Sequence, residues 1–115
     1  MIRRSEEMVR EIKKNMRDGK GEAHLTHLLN KEEFCGKGRL FTKIVLKPGM
    51  SIGMHQHVGD FEAYYILNGE ATVVDNGKPV LLKAGDLMYT KDGESHSIEN
   101  TGNSDLEFIA LVLYS

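Results

Sequence analysis

From residue 39 onward the chain is cut into short segments by turn-forming residues. Pro48-Gly49, Asn68-Gly69, Asn76-Gly77, Gly85-Asp86, Asp92-Gly93 and Thr101-Gly102-Asn103 mark the cuts. Segments of this length are too short for most helices and suit strands. Their content agrees: RLFTKIVLK (39–47), SIGMHQH (51–57), FEAYYIL (61–67), EATVVD (70–75), PVLLK (79–83), DLMYTK (86–91), SHSIEN (95–100) and LEFIALVLYS (106–115) are rich in β-branched and aromatic residues. EAHLTHLL (22–29) adds one more candidate ahead of a polar loop at 30–38. Eight or more strands at roughly 8–12-residue spacing predict an all-β sandwich or barrel. Asn68-Gly69 reads as a hairpin turn, with 70–75 pairing back on 61–67, and Asn76-Gly77 as a second. The length of 115 residues fits one domain.

The first 21 residues read differently. Ser5 is placed to cap a helix over 6–17, with Glu6 and Glu7 in its first turn and Met8, Val9, Ile12 and Met16 on one face. We therefore expect an N-terminal helix or arm (1–21) followed by a β-barrel domain (22–115). Residues 1–20 carry seven Lys/Arg against four Asp/Glu, and the remainder eight against thirteen, for a net charge of −2. That balance gives no global attraction to nucleic acid, and no apolar run approaches membrane-spanning length. The lone cysteine, Cys35, permits no internal disulfide or cysteine-cluster metal site. It suits a reducing compartment, so a cytoplasmic location is expected. The last strand is apolar on both faces, Leu106, Phe108, Ala110 and Val112 on one and Ile109, Leu111 and Leu113 on the other. The second face calls for a cover, and a homodimer is expected to supply it.

Chemistry concentrates in PGMSIGMHQHVGDFEAYYILNGEA, residues 48–71. Strand side chains alternate, so His55 and His57 share a face. Glu62 can return to that face after a short connector, and His96 follows an Asp-Gly turn on another strand. Three imidazoles and one carboxylate make a first-row transition-metal site. Four protein ligands on a six-coordinate ion leave two positions for a small ligand or water, which a closed structural zinc site lacks. By the same alternation Tyr64 and Ile66 point inward, Tyr65 and Met54 outward, and Thr42 shares a face with Leu40, Ile44 and Leu46. Tyr64, Thr42, Met88 and Phe108 are the candidate pocket residues, with Thr90 a further hydroxyl and Arg39 a charge at the rim. His24 and His27, three apart on a strand, are read as surface or interface residues.

Gly49, His55, His57, Glu62 and Gly69 resemble the first cupin motif, and Gly85, Gly93, His96 and Asn100 the second, with Lys91 where that motif has proline. The resemblance spans about residues 38–113. It implies a cupin double-stranded β-helix, or jelly-roll barrel, commonly dimeric. It implies a divalent metal (Mn, Fe, Ni, Zn or Cu) held by His55, His57, Glu62 and His96. It also implies either an enzyme of dioxygenase, decarboxylase or isomerase type acting on a small carboxylate, dicarbonyl or sugar-derived acid, or a non-catalytic protein binding a small acid or the metal alone.

Overall fold

The computed structural model describes all residues, 1–115. Ten strands form two antiparallel sheets: β1 (Val9–Lys14), β2 (Glu22–His27), β3 (Gly38–Leu46), β4 (Ser51–Gln56), β5 (Asp60–Asn68), β6 (Glu70–Asp75), β7 (Lys78–Lys83), β8 (Leu87–Thr90), β9 (Ser95–Asn100) and β10 (Leu106–Tyr114). One sheet runs β1-β2-β3-β10-β5-β8 and the other β4-β9-β6-β7. This is the expected all-β jelly-roll. The alternating faces pack between the sheets: Leu46, Ile66, Ile98, Leu106, Phe108 and Ala110 are fully buried, while Tyr65, Leu87 and Tyr89 face out. Each buried Leu, Ile or Phe contributes roughly 1.5–3 kcal/mol relative to exposure. No helix is long and apolar enough to cross a membrane.

Two local expectations need correction. The segment 6–17 is not a helix. It forms strand β1, flanked by single 3-10 turns at Ser5–Glu7 and Met16–Asp18. β1 pairs along its length with β2, from Val9 opposite His27 to Lys14 opposite Glu22. Backbone pairing with an open sheet edge has overridden the helical spacing, and Val9 and Ile12 remain more than half exposed. Arg10, Lys13 and Lys14 put charge on the new edge, which discourages further strand addition.

Asn68-Gly69 is not a hairpin. β5 pairs with β10 and β8, whereas β6 pairs with β7 and β9, so the chain changes sheets at this corner. Gly69 has φ +87°, and a Cβ there would lie 2.6 Å from the Asp105 carbonyl oxygen. The Asn68 side-chain amide donates to that same oxygen at 3.0 Å. The turn chemistry thus serves a crossover against the 101–105 loop. Asn76-Gly77 is the hairpin expected, with both residues at positive φ and Asp75 opposite Lys78.

Candidate metal centre

His55 and His96 face each other directly across β4 and β9. Alternation alone does not bring them inward together with Ile52. The β4–β9 register shifts between Ile52 and His55, a bulge that moves the inward parity from even to odd. Ile52 and His57 are therefore both buried, while Met54 is exposed. Glu62 comes from the opposing sheet, where its neighbours are Thr90 on β8 and Val112 on β10.

The four donors converge. His57 Nε2 lies 3.0 Å from Glu62 Oε1 and 3.1 Å from His96 Nε2. His96 Nε2 lies 3.0 Å from both His55 Nε2 and Glu62 Oε1, and His55 Nε2 is 4.0 Å from Glu62. All four ligand atoms fall within 4.8 Å of one another. Donors at right angles about 2.1 Å from a shared cation would sit about 3.0 Å apart. Four of these separations match that spacing, so the group can hold a metal ion.

The remaining ring nitrogens fix two of the tautomers. His57 Nδ1–H donates to Asp60 Oδ1 at 2.7 Å and His55 Nδ1–H to the Gly53 carbonyl at 2.7 Å, while His96 Nδ1 and the Thr90 hydroxyl share a hydrogen bond at 2.8 Å in which either can donate. The Nε2 lone pairs of His55 and His57 are then left for the shared point, and that of His96 joins them when Thr90 accepts. Asp60 also accepts from Arg39 Nε at 3.0 Å, so its buried charge is compensated. The Tyr64 ring stacks on His96, with centroids 5.0 Å apart and planes at 13°. Burial works to raise the Glu62 pKa, but with no ion between them His57 and His96 can carry their Nε2 protons, and hydrogen bonds from those protonated rings outweigh burial and hold the carboxyl at about 2. Burial lowers His55 to about 4, and the nearby charges of His96 and Arg17 push the same way. The Glu62 hydrogen bond raises His57, and burial carries the Tyr64 hydroxyl well above its ordinary value.

A cavity of about 20 Å³ opens beside the cluster. Tyr64 lines it, as do Ile44 and Ile52. Thr42, Met88 and Phe108, read from the sequence as pocket residues, are buried and do not line it. Thr42 donates to the Thr26 carbonyl at 2.9 Å, and Phe108 packs edge-on against Tyr64. Three residues were missed as part of the site. Asp60 lay in a segment read as a connector, though its spacing of three from His57 is the available signal. Met16 and Arg17 reach the cavity from the N-terminal turn, which no local pattern announces. Asn100 of the second motif serves the loop and not the site. Its amide donates to the Leu46 and Ser104 carbonyls, and its oxygen accepts from Gly102 N–H. His27 pairs with Glu11 on β1 at 2.9 Å, away from the cluster.

The cupin domain family model matches residues 42–113. The chain belongs to the cupin family. This cupin is 56% identical to an oxalate-binding protein of Thermotoga maritima over 98% of its own length and 93% of that protein's. The crystal structure of a predicted oxalate decarboxylase from Thermotoga maritima superposes on it with a TM-score of 0.95 at 55% identity, covering both chains completely. The polyketide cyclase RemF of Streptomyces resistomycificus shares the fold at 19% identity, with a TM-score of 0.78 over 99% of this cupin and 80% of the cyclase.

Proposed function

We propose that this cupin binds a divalent transition metal through His55, His57, Glu62 and His96, and through that metal a small dicarboxylate of the oxalate class, without turning it over. The observation that carries the metal reading is the convergence of three Nε2 atoms and one carboxylate oxygen within 4.8 Å of one another, with the Nδ1–H groups of His55 and His57 engaged by oxygen acceptors on the far side of their rings. When bound, the metal supplies Lewis-acid positions for ligand oxygens. The similarity to an oxalate-binding protein supports the ligand class.

Turnover is the second reading, favoured by the similarity to a predicted oxalate decarboxylase. Breaking the carbon–carbon bond of oxalate requires a proton donor to the resulting carbon. Around the cavity Glu62 is committed to the cluster, and the Tyr64 hydroxyl holds its proton far above neutral pH. Neither is matched to proton transfer, which favours binding.

Elemental analysis of protein purified without added metal should find a first-row transition metal. Calorimetric titration of oxalate should give binding to metal-loaded protein and none after chelation. Formate and carbon dioxide should stay at background. Accumulating formate would establish the catalytic reading in place of ours, and metal-free protein that still binds oxalate would overturn the metal-mediated one.

Asp60 holds the His57 ring in the orientation the site needs. Asp60→Asn keeps the shape but weakens that bond and leaves Arg39 without a charged partner. Metal affinity should fall by roughly 10–100-fold. Competition against a chromogenic chelator measures it, and an unchanged affinity would remove Asp60 from the site.

A further inference from the structure

The N-terminal turn is fastened over the site at three points. Met16 packs against the core. Lys20 N–H donates to Ser51 Oγ at 2.9 Å, and Ser51 N–H returns a bond to the Lys20 carbonyl at 2.9 Å. Gly19 and Gly53 face each other so closely that a Cβ on Gly53 would sit 2.0 Å from the Arg17 carbonyl oxygen. Between these anchors the backbone at Arg17 takes φ +54°, ψ +38°, a conformation that glycine adopts freely and arginine does not. Arg17 is exposed at the mouth of the cavity that His55 and Glu62 also line, its charge is close enough to help lower the His55 pKa, and its guanidinium is engaged by no hydrogen bond or ion pair. Arg39, the other arginine at this cavity, is engaged by Asp60.

Charge then discriminates between ligands. A divalent cation with the Glu62 carboxylate and three neutral imidazoles carries one net positive charge, and Arg39 and Asp60 cancel. A monocarboxylate neutralises such a site; a dicarboxylate leaves one negative charge over. The cavity has space for about one water molecule beside the cluster, so an incoming ligand must displace part of the lining. Apart from His57, just past the end of β4, the N-terminal turn is the part of that lining that belongs to no strand.

We propose that Arg17 is the specificity residue of this site: its guanidinium takes the carboxylate oxygens that the cation leaves free and makes the protein select dianions over monoanions. This rests on the metal-and-oxalate reading above and adds a residue to it. Guanidinium and carboxylate suit each other in a bidentate geometry that lysine reproduces only as a point charge.

The test is calorimetric titration of metal-loaded wild type, Arg17→Ala and Arg17→Lys with oxalate and with acetate, alongside elemental analysis of each. Arg17→Ala should bind oxalate roughly 10–100-fold more weakly, the loss expected for a charge-assisted pair. Arg17→Lys should recover part of that loss. Acetate affinity and metal content should match wild type in both variants. An Arg17→Ala protein that binds oxalate like wild type overturns the assignment and leaves the proposed function standing. Loss of metal, or an equal loss of acetate binding, also overturns it, because Arg17 would then be supporting the site in general. Wild type that holds metal but ignores oxalate overturns the proposed ligand class and this assignment together.

Discussion

His57→Ala should abolish tight metal binding. Removing an outer hydrogen-bond partner of a ligand already costs roughly 10–100-fold in affinity, so losing the ligand itself should cost more than about 100-fold. His57 is a severe position for this test because its Nε2 sits within about 3 Å of both Glu62 and His96. Its removal opens a gap at the centre of the donor set. The fold should survive, since Asp60 keeps its bond to Arg39 at 3.0 Å and is not left as an isolated buried charge. Elemental analysis after dialysis against a weak chelator reads the result, with circular dichroism as the check on folding. His24→Ala and His27→Ala, made alongside, should retain the wild-type metal content. Unchanged metal in His57→Ala would show that the ion sits elsewhere. Loss of metal in either control would show that β2 contributes to the site.

The donor set could be read from the sequence because it depends on short-range rules. His-x-His on a strand puts two rings on one face, and the glycine-bounded spacings to Glu62 and His96 bring the others into reach. What the spacing could not show is the bulge at Gly53 that turns Ile52 and His55 to the same side. Without it the hydrophobic parity of β4 and the metal-site parity conflict. The core face of β10 was equally legible, since Leu106, Phe108, Ala110 and Val112 alternate strictly and are all buried. The N-terminus failed for the opposite reason. Val9 and Ile12 fit a helical stripe, but the stripe has no surface to bury against, and the free edge of β2 offers six residues of backbone pairing instead. A non-local partner decided the structure of that segment. The same strand delivers Met16 and Arg17 to the cavity, so the misread helix also hid the part of the site that comes from the arm. At Asn68-Gly69 the residue types marked a tight turn correctly, but a two-residue turn signal does not say whether the next strand stays in the sheet. The close approach of the Asp105 backbone, which makes glycine necessary there, is a tertiary fact.

Phe108→Ala should lower the unfolding free energy by about 3–5 kcal/mol, a typical cost for emptying a buried phenylalanine site. That is a large share of the roughly 5–15 kcal/mol available to a small domain, so the variant should remain folded with a much lower urea midpoint. Phe108 is fully buried on the central strand β10, where rigid backbone pairing on both sides, with β3 and with β5, limits collapse of the cavity. Its effect should reach the metal site by one identifiable route. The Phe108 ring packs edge-on against Tyr64 at 4.8 Å, and Tyr64 stacks flat on His96 at 5.0 Å. With Phe108 gone, Tyr64 can tilt into the void and His96 loses its backing, although Thr90 still holds its Nδ1 at 2.8 Å. Metal should therefore still bind, but less tightly. A metal held by the folded state, as proposed, would add stability as RT ln(1 + [M]/Kd), about 2.7 kcal/mol at 100 times Kd. Urea titrations at one fixed metal concentration should show a smaller metal-induced gain for Phe108→Ala than for wild type. Equal gains would mean that the aromatic stack packs the core without tuning the His96 ligand.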